Sequence, residues 1–140
     1  MKSTEACSLT LGVIGNCAAS ALIDSQGRIV WSCWPRFDGD PVFHALLGGD
    51  SPEDGCFGIE LQDFARSEQE YVPNTAVLRT RLFDQRGQGL EITDFAPRFM
   101  RRDRLFHPVR IVQTLRLLSG APRIPDLLRP RRDSGAVPPR

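Results

Sequence analysis

Residues 21–34 read ALIDSQGRIVWSCW, and this stretch decides the fold class. The apolar residues on both sides of DSQG predict two antiparallel strands, over residues 18–23 and 28–34, joined by a tight turn. Asp24 is a residue type favoured at the start of a turn, and Gly27 suits a position that requires a positive φ. The second strand has apolar residues on both faces, as expected where one side is covered fully and the other partly.

Strand signals recur along the rest of the chain. A short strand is predicted over residues 56–61, and a second hairpin over residues 76–95, whose turn contains the sequence DQRG. One more long strand is predicted over residues 109–118. By contrast, the polar residues 62–70 are interpreted as a connection, and the basic stretch after Pro97 as a loop. The chain is therefore predicted to be mainly β, with an antiparallel β-sandwich.

One short helix is predicted over residues 42–47. Asp40 suits the N-cap position, Pro41 suits the first helical position, and the Gly-Gly pair that follows Leu47 ends the helix. A helix of about two turns has little intrinsic stability, so we expect packing to hold it in place. The predicted fold is thus a partial antiparallel β-sandwich with one short helix.

The composition is that of an ordinary globular domain with balanced charge. The 140 residues carry 18 Lys and Arg against 17 Asp and Glu, a net charge of +1, and 41% are hydrophobic. A chain of this length can bury a core without a disulfide or a metal. Proteins that bind nucleic acids or membrane surfaces usually have a strong basic excess, so we expect neither partner. No stretch has the length of a transmembrane helix or the form of a signal peptide, which favours a cytoplasmic protein.

Four cysteines, Cys7, Cys17, Cys33 and Cys56, are dispersed along the chain. No two of them have C-x-x-C spacing, and no His lies close enough to complete a zinc-binding pattern. The simplest interpretation is that they are small buried apolar side chains in a reducing compartment. Neither a P-loop nor a Rossmann fingerprint is present, and no Ser has the Gly-x-Ser-x-Gly context of a nucleophile. We therefore expect no metal and no cofactor.

Three segments are predicted along the chain. Residues 1–10 are polar and form a flexible N-terminus, residues 11–120 form the sandwich domain, and residues 121–140 form a tail rich in Pro and Arg. The tail holds five of the eleven prolines and has too few apolar residues to offset its ordering entropy. It is interpreted as a linker, a disordered end, or the start of an element that continues elsewhere.

Several short motifs occur in a fixed order along the sequence. They are IGNC (14–17), ALIDSQGRIVW (21–31), CWPRFD (33–38), VF (42–43), YVPNTAVL (71–78), EITDFAP (91–97) and RPRRDSGAVPP (129–139). Together they resemble the N-terminal domain of bacterial and archaeal family 15 glycoside hydrolases, the glucoamylases and trehalase-like enzymes. One such motif alone would be weak, whereas collinear motifs over nearly the whole chain are specific.

The resemblance implies a large N-terminal β-sandwich, followed by a linker helix and an (α/α)6 barrel. In that family the barrel carries two Glu residues that hydrolyse α-glucosidic bonds with inversion, and most members need no metal. No part of the barrel lies in this sequence, so no catalytic residue is assigned and the chain alone is not expected to be active. The implied partners are the absent catalytic barrel and an α-glucosidic oligosaccharide or trehalose.

One loop is singled out as the candidate functional site. The resemblance implies that this loop faces the barrel and its substrate cleft. Its residues are Trp34, Pro35, Arg36, Phe37 and Asp38. Arg36 and Asp38 are interpreted as interdomain or substrate-side groups, with a purely local role in the turn as the alternative.

Asp38 and Asp40 lie near Trp31, Trp34 and Phe37, which is reminiscent of a sugar site. Glycosidases use two carboxyl groups, and aromatic rings can stack on sugars. However, Asp40 has a capping role in the predicted helix, and Trp31 is expected to face the core of a strand. A catalytic pair is therefore the less favoured interpretation.

The remaining candidates receive structural interpretations. His44 is expected to pack or to face solvent within the short helix, and His107 receives no role. The arginines at positions 98, 101, 102 and 104 lie beside Phe99 and Phe106. Such a cluster can contact RNA, but a solvated loop or an interdomain contact is favoured.

The end of the sequence departs from the family pattern. Gly39 replaces the usual Ser, Arg132 and Ser134 replace aromatic residues, and Pro125 interrupts an expected strand. The tail is thus interpreted as a remnant of the next sandwich segment, and the sandwich as truncated. Uncovered strand edges favour self-association. Two alternatives stay open: a free-standing carbohydrate-binding or protein-interaction module, and the non-functional product of a truncated gene.

Overall fold

The computed structural model describes residues 9–47, 55–124 and 126–128. Residues 1–8 of the predicted N-terminal segment and most of the predicted tail lie outside these ranges. The strands are β1 (Gly12–Gly15), β2 (Ser20–Ile23), β3 (Ile29–Cys33), β4 (Pro41–Phe43), β5 (Phe57–Ile59), β6 (Phe64–Tyr71), β7 (Leu78–Asp84), β8 (Gly89–Phe95), β9 (Phe99–Arg101), β10 (Arg104–Phe106), β11 (Val112–Ser119) and β12 (Asp126–Leu128).

These strands form two antiparallel sheets and one separate hairpin. The first sheet has the order β1-β2-β3-β5-β12, with β4 paired to β3, and the second has the order β11-β8-β7-β6. Strands β9 and β10 form the hairpin. The predicted mainly β fold with antiparallel sheets is confirmed.

The two sheets face each other across a shared apolar core. One cluster joins β1, β2 and β3 of the first sheet to β7 of the second and contains Ile14, Ala21, Ile23, Ile29 and Leu78. The other joins β5 and the residues after it to β7 and β8 and contains Ile59, Leu61, Leu82, Leu90 and Ile92. Full burial of one large aliphatic side chain contributes about 1.5 to 3 kcal/mol, so these clusters hold the sandwich together.

Two turns with the same D-x-x-G sequence set the register of the β2–β3 and β7–β8 hairpins. Asp24 Oδ1 accepts hydrogen bonds from the backbone N–H groups two and four residues later, at 2.9 and 3.0 Å. Asp84 Oδ1 accepts the equivalent pair at 2.9 and 2.8 Å. Gly27 and Gly87 both have a φ of 77°, which other residues adopt at a cost. The predicted turn roles of Asp24 and Gly27 are confirmed.

Strand β3 contains an irregularity that strict alternation does not predict. Leu22 pairs with Trp31, whereas Ile23 pairs with Ile29, so Val30 is an extra residue in the ladder. In consequence Ile29 and Val30 are both buried, and Trp31 is half-buried. Such a bulge re-aims the side chains that follow it.

The predicted helix over residues 42–47 is wrong in its first half, and its second half is one short turn. Pro41–Phe43 form β4, which pairs with β3, and Ala45–Leu47 form a single turn of 3-10 helix. Phe43 packs against the β1–β3 cluster and stacks on Phe57 with ring centroids 6.1 Å apart. Burial of Phe43 beside the sheet therefore outweighs the local helix signal.

The first sheet covers the second sheet only in part. Leu82 on β7 and Leu117 on β11 both pair with Leu90 on β8, so the three leucines form one row on the inner face. Leu82 is 1% exposed, whereas Leu117 is 60% exposed. The inner face of β11 therefore lies beyond the covered part of the sheet.

Strand β6 occupies the stretch that was predicted to be a polar connection. It forms an edge of the second sheet, and its outward Glu68 and Glu70 lie opposite Arg81 and Arg79 on β7. Arg81 Nη2 is 3.3 Å from Glu70 Oε1. Cross-strand charge pairs, rather than apolar alternation, mark this strand.

One side chain joins the edges of the two sheets. The Tyr71 hydroxyl, at the end of β6, donates a 2.9 Å hydrogen bond to the carbonyl oxygen of Val13 on β1. The Tyr71 hydroxyl oxygen also accepts a 2.8 Å hydrogen bond from the Val13 N–H. The pair closes one side of the sandwich.

Two further elements lie in stretches that were interpreted as irregular. The basic stretch predicted to be a loop contains the β9–β10 hairpin, and β12 pairs with β5 inside the segment predicted to be a tail. In the part of the chain for which structure is described, no helix has the length and apolarity needed to cross a membrane.

Candidate interface at one end of the sandwich

The predicted site loop, residues 34–38, follows directly on β3. Trp34 is half-buried and precedes a cis peptide bond to Pro35, and the loop is exposed from Pro35 onward. Arg36 and Asp38 form a two-point ion pair, with Nε 2.9 Å from Oδ1 and Nη2 3.0 Å from Oδ2. Because both side chains are largely exposed, this pair contributes at most about 1 kcal/mol and mainly fixes the shape of the loop. Phe37, which lies between them in the sequence, is 53% exposed.

The loop forms one wall of an open groove with a volume of about 390 Å³. The other wall comes from the turn between β1 and β2 and from the segment after the β9–β10 hairpin. The lining residues are Cys17, Ala18, Pro35, Arg36, Phe37, Asp38 and Val109. Most of them are exposed, so the groove is a surface feature rather than an enclosed ligand pocket.

Asn16 ties the β1–β2 turn to the segments on either side of the hairpin. Its buried side chain accepts hydrogen bonds at Oδ1 from the N–H groups of Ala18 (3.0 Å) and Ala19 (2.9 Å). Its Nδ2 donates to the carbonyl oxygens of Pro97 (2.8 Å) and Pro108 (2.7 Å). One side chain thus satisfies four backbone groups, which sets the position of the turn relative to both ends of the hairpin segment.

The β9–β10 hairpin carries apolar side chains on both faces. Phe99 pairs with Phe106, and Met100 pairs with Leu105. The two phenyl rings stack with centroids 5.7 Å apart. These four side chains are between 42% and 65% exposed. The hairpin therefore adds a second apolar area beside the site loop.

A second open groove, of about 490 Å³, runs along the hairpin. Its lining residues are Pro97, Phe99, Leu105, Phe106, His107, Pro108 and Arg110. Val109 of the first groove lies between two of these residues, so the two grooves are neighbours. In addition, Arg98 Nη1 lies 3.6 Å from Cys17 Sγ.

We call this region the end surface; it consists of residues 16–18, 34–38 and 97–110. Its large exposed apolar side chains are Phe37, Phe99, Met100, Leu105, Phe106 and Val109. A concentration of exposed apolar groups of this kind is typical of a contact surface.

Asp38 and Asp40, the carboxylates considered for catalysis, both lie on the exposed surface and not in an enclosed pocket. Asp38 is engaged by Arg36, and Asp40 is exposed and precedes a strand instead of capping a helix. In the described ranges, no group of three or more His, Cys, Asp or Glu could hold a metal ion.

Other predicted residues have local roles. His44 is buried against Gly55, whose carbonyl oxygen accepts a 2.8 Å hydrogen bond from the His44 N–H. Cys56 is buried as expected, but Cys17 is exposed. No disulfide joins the cysteines of the described part, and Cys7 lies outside it.

Sequence reasoning gave no individual role to Asn16 or Asp94, although both belong to the motifs IGNC and EITDFAP. The signal for Asn16 is an Asn at the start of a turn followed by small residues. The signal for Asp94 is a carboxylate inside an otherwise apolar strand pattern. Asp94 is fully buried, and this burial raises its pKa to about 6, with a hydrogen bond from Gln113 opposing the rise in part.

The sequence profile of trehalase-like N-terminal domains matches residues 4–140. The chain belongs to this family. Three motifs of this trehalase-like N-terminal domain meet at the end surface, although they lie far apart in the sequence. Asn16 of IGNC bonds to Pro97 of EITDFAP, 81 residues away, and the groove beside them contains the loop of CWPRFD.

The trehalase-like N-terminal domain is also similar to curated trehalases. Trehalase 1 of Sulfolobus acidocaldarius is 41% identical over 87 residues, which are 62% of this chain and 15% of the relative. A trehalase of Thermoplasma volcanium is 34% identical over 88 residues, or 61% and 14% of the two chains. A trehalase of Mycolicibacterium smegmatis is 31% identical over 71 residues, or 49% and 10%. The matched region thus spans at most 15% of the length of these relatives. No solved structure matches the chain.

Proposed function

We propose that this chain is a non-catalytic N-terminal domain of a trehalase-type glycoside hydrolase, and that its end surface contacts the catalytic domain. The finer part of the proposal assigns the hydrolase to family 15. Its catalytic domain is then an (α/α)6 barrel that hydrolyses α-glucosidic bonds in trehalose or in an oligosaccharide. The collinear motifs and the similarity to curated trehalases support this origin.

The observation that carries the docking role is the composition of the end surface. Three family motifs converge there, and the side chains that they surround are apolar and exposed rather than buried. Phe37 is 53% exposed and Met100 is 65% exposed. Exposing such side chains to water is unfavourable, so a partner that covers them gains about 25 cal/mol per Å² of apolar surface.

The positions of the buried carboxylates support a non-catalytic role. Among the described residues these are Asp84, Glu91 and Asp94. Asp84 accepts backbone hydrogen bonds in a turn, Glu91 lies among arginines on the outer face of the second sheet, and Asp94 lies on its inner face. Because adjacent odd and even positions of a strand face opposite ways, Glu91 and Asp94 cannot flank the same bond.

Two further points belong to the proposal. Leu115 and Leu117 on β11 are 50% and 60% exposed on the inner face of the second sheet, so we propose that additional strands cover β11 in the whole hydrolase. In their absence, the same face favours self-association. The exposed Cys17 thiol fits a reducing compartment, and we propose a cytoplasmic location on that basis.

A domain exchange tests the proposal. The chain replaces the matching N-terminal region of Sulfolobus acidocaldarius trehalase 1, and glucose release from trehalose is measured for the chimaera, for the relative lacking that region, and for the chain alone. We expect activity in the chimaera, its loss in the truncated relative, and none from the chain alone on trehalose, maltose or dextrin. Turnover by the chain alone that Asp38→Asn abolishes would overturn the non-catalytic assignment.

The second candidate function is a free-standing carbohydrate-binding module. It is favoured by one observation, the half-exposed Phe37 beside the 390 Å³ groove, because aromatic faces stack on sugars. Calorimetric titration with trehalose and maltose separates the candidates. Saturable heat that Phe37→Ala removes supports the module, whereas an inactive chimaera together with no sugar binding supports a non-functional gene product.

A further inference from the structure

The β9–β10 hairpin has two apolar faces and an unneutralised basic tip. Cross-strand partners share a face, so the pair Phe99 and Phe106 occupies one side and the pair Met100 and Leu105 the other. A hairpin surrounded by water would normally have one polar face. Covering only one side of this hairpin would leave an apolar pair exposed on the other side.

Like charges lie opposite each other at the tip. Arg101 pairs with Arg104, and Arg102 lies in the connecting turn with Asp103. Like charges at paired positions destabilise a hairpin, so the arrangement costs stability unless anions lie nearby. In the described ranges, none of these three arginines lies within 4.0 Å of a carboxylate oxygen.

The arginines of the second sheet are arranged differently. Arg79 and Arg81 lie between Glu70 and Glu91, and Arg116 Nη2 is 2.8 Å from Glu91 Oε1. The arginines of the second sheet are thus neutralised within the fold, whereas Arg101, Arg102 and Arg104 have no carboxylate partner among the described residues. Residues 97–110 carry five Arg against one Asp, so the complementary surface is acidic.

We propose that the β9–β10 hairpin binds a protein surface whose apolar centre is rimmed by carboxylates. The inference rests on the proposed function, because it assigns the chemistry of the partner that docks on the end surface. A second copy of the hairpin fits poorly, since it would place arginines against arginines. Single-stranded RNA is disfavoured because Phe99 and Phe106 stack on each other with ring centroids 5.7 Å apart, so one face of each ring is no longer open to a base.

The test uses the full chain and a synthetic amphipathic helical peptide as the probe. The peptide has Leu at one helical face and Glu at the other positions, and its control has Lys in place of every Glu. Binding is followed by fluorescence anisotropy at low and high salt. We expect the acidic peptide to bind at least about tenfold more tightly than the basic one, with affinity that falls as salt rises.

Variants locate the binding site. Arg101→Glu with Arg104→Glu, and separately Met100→Ser with Leu105→Ser, should each weaken binding of the acidic peptide by about tenfold or more. Matched controls are Arg86→Glu in the exposed β7–β8 turn and Leu47→Ser, a side chain 66% exposed elsewhere on the surface. The controls should bind like the wild type, and the midpoint of urea unfolding shows that each variant is folded.

Several outcomes overturn the inference. These are no binding of the acidic peptide, equal binding of the basic peptide, equal losses in the control variants, or tighter binding to phosphatidylserine vesicles or to a single-stranded RNA oligonucleotide. An active chimaera combined with failure of peptide binding defeats this inference alone. Peptide binding that requires the hairpin, combined with an inactive chimaera, defeats the proposed function and leaves the binding chemistry standing.

Discussion

Asp94 on β8 and Gln113 on β11 are paired on neighbouring strands of the second sheet, and the Gln113 amide donates a 2.8 Å hydrogen bond to Asp94 Oδ1. Asp94 is fully buried, and its Oδ2 has no hydrogen-bond partner in the described part of the chain. Burial therefore raises the pKa of Asp94 from 3.8 to about 6, although the Gln113 bond favours the charged form. The sandwich thus holds a carboxyl group that is more stable protonated near pH 5.

Asp94→Asn should flatten the dependence of stability on pH. Because the pKa of Asp94 is higher in the folded state, its contribution is fully present below about pH 4 and is lost as pH rises through about 6. The free energy of unfolding of the wild type should therefore fall by roughly 1 to 3 kcal/mol across that range. The neutral amide removes this titration, and urea unfolding between about pH 4.5 and about pH 7.5 measures the slope.

Asp63→Asn is the control for this titration. Asp63 is exposed and has a φ of 58°, a conformation that Asn adopts as readily as Asp. The wild-type slope should persist in Asp63→Asn. An unchanged slope in Asp94→Asn would contradict the assignment of the titration to Asp94.

Asn16→Ala should loosen the end surface as well as lower stability. The change leaves four backbone groups without the partner that Asn16 supplies, so we expect a loss of about 2 to 3 kcal/mol. Urea unfolding measures the loss, and amide hydrogen exchange should show faster exchange in residues 97–110. Asn74→Gly, in an exposed turn where φ is 59°, should change stability by less than about 0.5 kcal/mol. Equal exchange rates in the wild type and Asn16→Ala would argue against the tethering role.

Glu91→Gln should destabilise the domain mainly at neutral pH. The Glu91 side chain is 6% exposed, with Arg81 Nε at 3.0 Å and Arg116 Nη2 at 2.8 Å. Burial acts to raise the pKa of Glu91, but the hydrogen bond from Arg81 and the charges of Arg116 and Arg79 outweigh it, so its pKa lies below 4.5. Its stabilising contribution is therefore present above about pH 4.5 and is lost as pH falls. We expect a loss of about 1 to 3 kcal/mol at pH 7 by urea unfolding.

The matched control for Glu91 is Glu68→Gln on the same face of the sheet. The Glu68 side chain is 52% exposed, so its ion pairs should contribute less than about 1 kcal/mol. Similar losses for the two variants would indicate that burial does not strengthen the Glu91 cluster.

Leu82→Ala and Leu117→Ala test how far the first sheet covers the second. Both leucines pair with Leu90, but their exposed fractions are 1% and 60%. We expect losses of about 2 to 5 kcal/mol for Leu82→Ala, which creates a cavity, and less than about 1 kcal/mol for Leu117→Ala. If Leu117→Ala and Leu82→Ala lose the same free energy of unfolding at all protein concentrations, β11 is covered within the monomer. A Leu117→Ala loss that grows with protein concentration would mean that copies of the chain pair through this face.

The sequence predicted those hairpins in which the turn residues and the apolar pattern of the flanking strands both indicate a hairpin. Asp24 and Gly27 mark the turn between two apolar runs, and the DQRG turn before β8 repeats the pattern. Local and tertiary preferences agree there, so pattern reading succeeds. The family motifs also singled out residues 34–38, a short contiguous segment, and the interdomain or substrate-side role of this loop stays a prediction.

The missed elements are those whose stability comes from other parts of the chain. Residues 64–71 have no apolar alternation, and β6 is defined by its pairing with β7, which places Glu68 and Glu70 opposite Arg81 and Arg79. The β9–β10 hairpin turns at Arg102 and Asp103, with φ of 49° and 60°, where Asn-Gly would be the usual signal. The end surface could not be predicted as a unit, since Asn16 and Pro108 lie 92 residues apart and only the fold joins them.

The contact between the Tyr71 hydroxyl and Val13 also affects which edge of the sandwich can recruit another chain. Strand β1 lies at the edge of the first sheet, and the N–H and C=O of Val13 point to the side where an incoming strand would pair. The Tyr71 phenol oxygen bonds to both groups. An incoming strand cannot pair with them, which blocks edge-to-edge polymerisation at this position. Strand β11 has eight residues at the edge of the other sheet and uncovered leucines beside them. If the domain forms aggregates, we therefore expect them to grow in one direction, by strand addition at β11 and not at β1.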